Sequence, residues 1–336
     1  MTRTYPAAER TDVVDDMHGH KVLDPYRWLE DADDARTQGW GEQQSALLEH
    51  ERESWSTRDT FAESVQALLG AGAVSLPVHR GARVFFTQRQ PGQQFGVLFV
   101  READGFERVL IDPMELDPTG STTLDAWQPS KEGERLAYQV SEGGTEESVL
   151  YVMDVTTGEV IDGPIDRCRY SPVAWIPGGE RFYYVRSLPP EVLPESERGF
   201  HRRVFLHTVG ADAVGDANVF GAGMTMTNYY GVEVSRDGRW LQVSAAEGTE
   251  PRNDLWVADL TTTSADRPAF QHVQVDVDAQ TSLTFGRDGR VFVSTDLEAP
   301  RGRLAVTEPG QWGSSQWVDL VSEDPEAVLE SVAILD

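Results

Sequence analysis

The sequence predicts a mostly β protein, a β-propeller of four-stranded antiparallel blades carrying a short helical arm at its N-terminus. A glycine turn followed by strand-like runs recurs five times, starting at Gly81, Gly133, Gly179, Gly238 and Gly289. In three copies the glycine and the leucine of the following strand-like run keep one spacing: Gly81 to Leu98, Gly133 to Leu150 and Gly238 to Leu255. Residues 1–72 lack this pattern and turn helical in composition. A period of roughly 50 residues has room for one four-stranded sheet, and alternating runs joined by tight glycine turns suit antiparallel pairing. The alternative is a β-sandwich of unrelated hairpins, for which so long a period with a shared internal spacing is unusual.

In the arm, a helix is expected over about Asp34 to Trp55, with Trp40, Leu47 and Leu48 facing inward. Phe61, Val65, Leu68 and Leu69 fall at i, i+4, i+7 and i+8, one apolar face of a second helix. Thr60 and Glu63 read as a capping box for it, and Gly70 and Gly72 as its stop. Such an arm needs a surface, offered by the propeller or by a second domain.

The blades occupy residues 73–336. Runs such as Leu136-Ala137-Tyr138-Gln139-Val140 alternate as strands do. The third copy is long because Pro189, Pro190 and Pro194 interrupt it, and the fifth is two residues shorter than the standard spacing. Asp154-Val155-Thr156-Thr157-Gly158, Asp259-Leu260-Thr261-Thr262 and Glu308-Pro309-Gly310 read as later turns. Trp175, Trp240 and Trp256 lie in expected strands and suit the core between blades. Val318 to Leu335 reads as the first strand of a further blade, giving five blades and the start of a sixth.

Aspartate and glutamate outnumber lysine and arginine 56 to 29, a net charge of −27. Such a surface repels phosphate backbones and anionic membranes, so neither nucleic acid nor membrane is an expected partner. The single cysteine, Cys168, allows no intrachain disulfide and suits a buried structural thiol, although Arg167 and Arg169 beside it would lower its pKa if they prevailed. There is no apolar leader and no apolar run long enough to span a bilayer, so a soluble, cytoplasmic protein is expected. Asp15, Asp16, His18, His20 and Asp24 crowd one loop without metal-site spacing, and neither metal nor cofactor is expected.

Val22-Leu23-Asp24-Pro25-Tyr26-Arg27-Trp28-Leu29-Glu30-Asp31, with Tyr5-Pro6, Arg10, Asp12-Val13 and His18-Gly19 before it, resembles the start of the prolyl oligopeptidase family of serine peptidases. The likeness continues in family order through Leu110-Ile111-Asp112-Pro113, Arg169-Tyr170-Ser171 with Trp175, Phe182-Tyr183-Tyr184, His207-Thr208-Val209-Gly210 and Asn253-Asp254-Leu255-Trp256. Ala299 to Leu304 and Glu326 to Val332 resemble later landmarks. The resemblance implies a helical arm and a seven-bladed propeller over an α/β-hydrolase domain, with the propeller filtering short peptides for cleavage after proline. It also implies that Tyr170 and Tyr229 line the pocket facing the hydrolase domain. Packing within a blade is the alternative for both, and a shift of one residue in alignment puts Tyr230 in the place of Tyr229.

The sequence departs from the family where the chemistry is done. It has no G-x-S-x-G elbow and no glycine-flanked serine of the family type, and none of its seven histidines falls where the family keeps its catalytic one. This chain alone is therefore expected to be inactive, an incomplete propeller with the hydrolase domain missing. The other readings are a stand-alone binding or scaffolding propeller and, lacking converging carboxylates at blade starts, a propeller enzyme of another class.

Overall fold

The computed structural model describes residues 4–334, and the chain divides into two compact units, one up to Ala71 and one from Gly72. In the first, a hairpin pairs Val14–Met17 with His20–Leu23. Trp28 is buried in this unit, its indole N–H donating to the Glu9 carbonyl at 2.9 Å. Asp15 and Asp24 both engage the Arg27 guanidinium, and Asp16 accepts the Gly19 amide at 3.0 Å.

Helix α1 runs Ala35–Arg52 and opens on Asp34, whose carboxylate accepts the Arg36 amide. Trp40 and Leu47 are half-buried, but Leu48 lies one residue further round the helix and is exposed, contrary to expectation. Helix α2 runs Arg58–Leu69, so it begins before the expected capping box and carries Thr60 inside its first turn. Its N-cap is Thr57, which makes no side-chain cap bond; the Phe61 amide already donates to the Thr57 carbonyl at 3.1 Å. No residue of either helix is buried.

The second unit is a β-propeller of five antiparallel blades. The first strand of blade one is split into Ala73–Val74 and Val78–Arg80 around Pro77, which has no N–H to give a ladder. Both pieces pair with Arg83–Arg89, followed by Val97–Arg101 and Glu107–Ile111. Blade two is Thr122–Pro129, Arg135–Glu142, Val149–Asp154 and Val160–Ile165, and blade three Val173–Trp175, Arg181–Ser187, Arg202–Thr208 and Ala217–Phe220. Blade four is Asn228–Val234, Trp240–Glu247, Asp254–Asp259 and Gln271–Gln274. Blade five is Thr281–Phe285, Val291–Thr295, Arg303–Thr307 and Val318–Val321.

Val318–Val321 corrects the expected sixth blade. It pairs with Arg303–Thr307 and completes the fifth sheet, because that hairpin otherwise leaves an open ladder on its outer side. No strand follows it among the described residues. Leu335, the end of that expected strand, lies outside them.

Every repeat glycine sits in the turn between the first and second strands of its blade, at φ between +55° and +84°. Two of these turns interlock. A Cβ on Gly133 would lie 2.7 Å from the Arg80 carbonyl oxygen, and one on Gly81 2.5 Å from that of Glu132. Glycine is thus required twice over, by backbone conformation and by the contact.

A second repeated device accompanies the turns. At one fixed distance after the glycine, blades one, two and four carry an acid: Glu102, Asp154 and Asp259. Each pairs with the arginine that follows the turn: Arg83 to Glu102 at 2.7 Å, Arg135 to Asp154, and Arg239 to Asp259 at 2.8 Å. These pairs tie the start of the second strand, or in blade four the residue just before it, to the end of the third, or in blade one to the residue just after it.

Four hydrophobic cores join neighbouring blades. Phe85, Leu98, Leu136 and Tyr138 join blades one and two, and Leu150, Trp175, Phe182 and Tyr184 join two and three. Tyr183, Val204, Leu241 and Trp256 join three and four, and Trp240, Leu255, Val291 and Trp317 join four and five. The three tryptophans expected between blades lie there. Cys168 is buried in the core between blades two and three, where desolvation pushes its thiol up to about 12 despite the arginines beside it.

Candidate functional site

The first strands of blades two, three and four run side by side and border a cavity of about 370 Å³. They begin at one end and reach their glycine turns at the other, so the chain sorts residues between two mouths.

At the starting end stands an aromatic pair. Tyr170 precedes the first strand of blade three and Tyr229 is the second residue of that of blade four. Their ring centroids are 6.1 Å apart with the planes tilted by 50°. Tyr170 is 52% exposed and Tyr229 37%. Tyr230, the other residue that a shifted alignment would select, is buried in the core between blades three and four. Strand alternation sends adjacent side chains to opposite faces, which leaves Tyr229 beside Tyr170.

Charge backs both rings. The Arg169 guanidinium lies 5.0 Å from the Tyr170 centroid, and that of Arg202 lies 4.0 Å from the Tyr229 centroid. Arg202 is buried, and its Nε finds no hydrogen-bond partner. Glu146, in the turn between the middle strands of blade two, accepts the Tyr170 hydroxyl and, at 2.9 Å, Arg169. These two donors, Tyr170 first, hold the Glu146 carboxyl below the usual range. Tyr170 adopts φ +53°, a left-handed conformation uncommon outside glycine, so its ring direction is held by the surrounding contacts. Tyr229 also borders a cavity of about 640 Å³ that reaches the fifth blade, within the size range of small-ligand pockets.

Sequence reasoning singled out the two tyrosines but missed Glu146, Arg169 and Arg202. Apart from Arg169, which adjoins Tyr170, these residues are far apart in the chain and follow no motif; only blade packing brings them together.

No nucleophile with an activating base is assembled among the described hydrogen bonds. His207, the most buried histidine, is fully enclosed: Nε2 lies 2.8 Å from Asp162 and Nδ1 2.9 Å from Asp216. With both nitrogens engaged by carboxylates and no solvent access, it joins blade two to blade three.

Residues 5–336 match the family model for the N-terminal β-propeller domain of prolyl oligopeptidase. The chain belongs to the prolyl oligopeptidase family. It is 27% identical over 323 residues to the prolyl endopeptidase of Elizabethkingia meningoseptica, covering 96% of this chain and 45% of that protein. It is 24% identical to prolyl oligopeptidase A of Amanita bisporigera, covering 99% of this chain and 48% of that one. A solved chain from a structural study of two prolyl endopeptidases superposes with a TM-score of 0.87 at 29% identity, over 99% of this chain and 48% of its own. Prolyl oligopeptidase B from Galerina marginata, solved with a 35mer substrate, shares the fold at a TM-score of 0.82 and 22% identity. The chain spans about half the length of the curated relatives it matches. No helix of the described residues is long and apolar enough to cross a membrane.

Proposed function

We propose that this chain is the arm (residues 1–72) and propeller (73–336) portion of a cytoplasmic serine endopeptidase that cleaves short peptides after proline. The observation that carries this reading is the family match over residues 5–336 among relatives roughly twice as long. The catalytic triad then belongs to an α/β-hydrolase domain beyond this chain, and the propeller admits short peptides while excluding folded proteins. Residues 1–336 alone are inactive.

Tyr170 and Tyr229 line the peptide's path on the face turned to the hydrolase domain. Their half-exposed rings provide apolar area for a peptide side chain, and the cations behind them hold the ring positions. Two features support a missing half. Five blades are joined by four cores among the described residues, so no core of this kind joins blade five to blade one. The apolar face of α2 is also uncovered, with Leu68 77% exposed.

An antibody raised against residues 72–336 tests the reading in cells that carry this sequence. It should recognise a species roughly twice this length, in keeping with the 45% and 48% coverage of relatives. Depletion with it should remove cleavage of short proline peptides from the lysate. A species of this chain's own length, with the peptidase activity left in the supernatant, would instead establish a stand-alone binding propeller.

A further inference from the structure

The turn-side mouth of the channel gathers positive charge in a protein whose net charge is −27. Arg80, Lys131 and Arg236 stand one or two residues before the repeat glycines Gly81, Gly133 and Gly238, so the repeat itself brings them to one end. Arg80, Lys131 and Glu233 line both the channel cavity and a second cavity of about 380 Å³ at this mouth, which Arg236 also borders. They therefore form the neck between the two spaces.

Arg80 and Lys131 have no acidic hydrogen-bond partner among the described residues. Arg80 donates through one terminal nitrogen to the His79 carbonyl at 2.9 Å, while its Nε is buried with no hydrogen bond. Lys131 donates to the Val234 carbonyl at 2.7 Å, a neutral acceptor. Glu233 is the one carboxylate lining both cavities and forms no ion pair within 4.0 Å with Arg80 or Lys131. It opens onto the cavity yet is hemmed in by protein, which raises its carboxyl pKa against the pull of Lys131. Burial lowers the pKa of both Arg80 and Lys131, and like charge adds to it, from Arg236 in the first case and from Arg80 in the second, while Glu233 and Glu132 pull the Lys131 value part of the way back.

The site is also stiff. The Arg80 backbone is clamped by the interlocked turns, its carbonyl oxygen 2.7 Å from where a Gly133 Cβ would stand. Two cations that no carboxylate hydrogen-bonds, facing cavities of about 370 and 380 Å³, are what oxyanion recognition requires.

We propose that this neck is an oxyanion-binding site, in which Arg80 and Lys131 receive a carboxylate or phosphate group with Arg236 behind them. A peptide's free C-terminus and inorganic phosphate present the same chemistry to it. The site is independent of Tyr170 and Tyr229 and does not rest on the peptidase reading.

Calorimetric titration of the protein at the length its cells make tests this with three probes: inorganic phosphate, a tripeptide with a free carboxylate, and the same tripeptide as its amide. Phosphate or the free acid should bind and raise the melting temperature. Arg80→Gln and Lys131→Gln should each weaken that binding about tenfold or more, whereas Arg290→Gln, on the fifth-blade turn, should not. Neutralising one of two repelling cations should leave the ligand-free melting temperature unchanged or higher, so Lys131→Gln serves if Arg80→Gln folds poorly. Binding of phosphate alone assigns the site to the free ion, and binding of the acid but not the amide assigns it to a peptide terminus. No binding by phosphate or acid, or equal binding by wild type and both neck variants, overturns the proposal.

Discussion

His207 illustrates how one residue's protonation ties two blades together. Asp162, in the fourth strand of blade two, also accepts the Gly210 amide, while Asp216, just before the fourth strand of blade three, also accepts the Tyr184 hydroxyl at 2.8 Å. Burial alone drives the imidazole's pKa down, but hydrogen bonds and charge from Asp216 and Asp162 together outweigh it and raise the pKa. A pKa raised by folding stabilises fully below the unfolded value, about 6.5, and the contribution fades as pH rises through the folded value. Wild-type unfolding free energy should therefore decline as pH rises above about 6.5, with a component that His207→Gln lacks. At pH 6 that variant should lose about 3 kcal/mol or more, since it takes the cationic partner away from two buried carboxylates. Denaturant melts from pH 6 to 9 check both; parallel curves for the two proteins would remove His207 from this role. The sequence marked His207 only as part of a family-like segment, because the carboxylates that charge it are 45 residues before and nine after.

At the level of elements, turns and helices were legible to different degrees. The glycine turns could be placed because each needs a left-handed residue, a local requirement. What each turn touches was not local. Gly133 and Gly289 have similar φ, +78° and +84°, but a Cβ on Gly289 would meet nothing within 4 Å. Gly289→Ala should thus cost about 1–2 kcal/mol for the left-handed backbone alone. Gly133→Ala should cost clearly more, since it must also push the first two blades apart. Equal shifts in denaturant midpoint would show that the interlocked turns carry no weight. For α2 the periodicity of Phe61, Val65, Leu68 and Leu69 located the helix, but periodicity identifies a face and not what covers it. The expected cap at Thr60 failed because that pattern cannot tell the N-cap from a residue one turn inside.

For the molecule as a whole, the number of cores decides more than the number of blades. Each blade is apolar on both faces, and blades one and five have one neighbour each by way of these cores. On blade one the stacked Phe86 and Phe99 carry Arg101 over the Phe86 ring, and on blade five Arg290 lies over Phe292. Val109 and Val318, on the outermost strands of these two blades, remain exposed. If the rest of the protein covers these faces, residues 1–336 alone should bind a hydrophobic dye strongly and tend to aggregate. A monomer that unfolds cooperatively without dye binding would favour a self-sufficient propeller.

The repeat, the blade architecture, the helical arm and the family could all be had from the order of residues, because they follow from local spacing: alternation of period two, glycine where φ is positive, and landmarks in order. The same order held the acid at a fixed distance after the turn and the cation just before it, two repeat positions whose meaning emerges once the blades are stacked. It took the folded chain to show that Val318–Val321 closes the fifth sheet, that Tyr229 rather than Tyr230 meets Tyr170, and that Arg80 and Lys131 share one neck. Each of those depends on contacts between strands far apart in the chain, set by how sheets pair and pack, and no local pattern encodes that pairing.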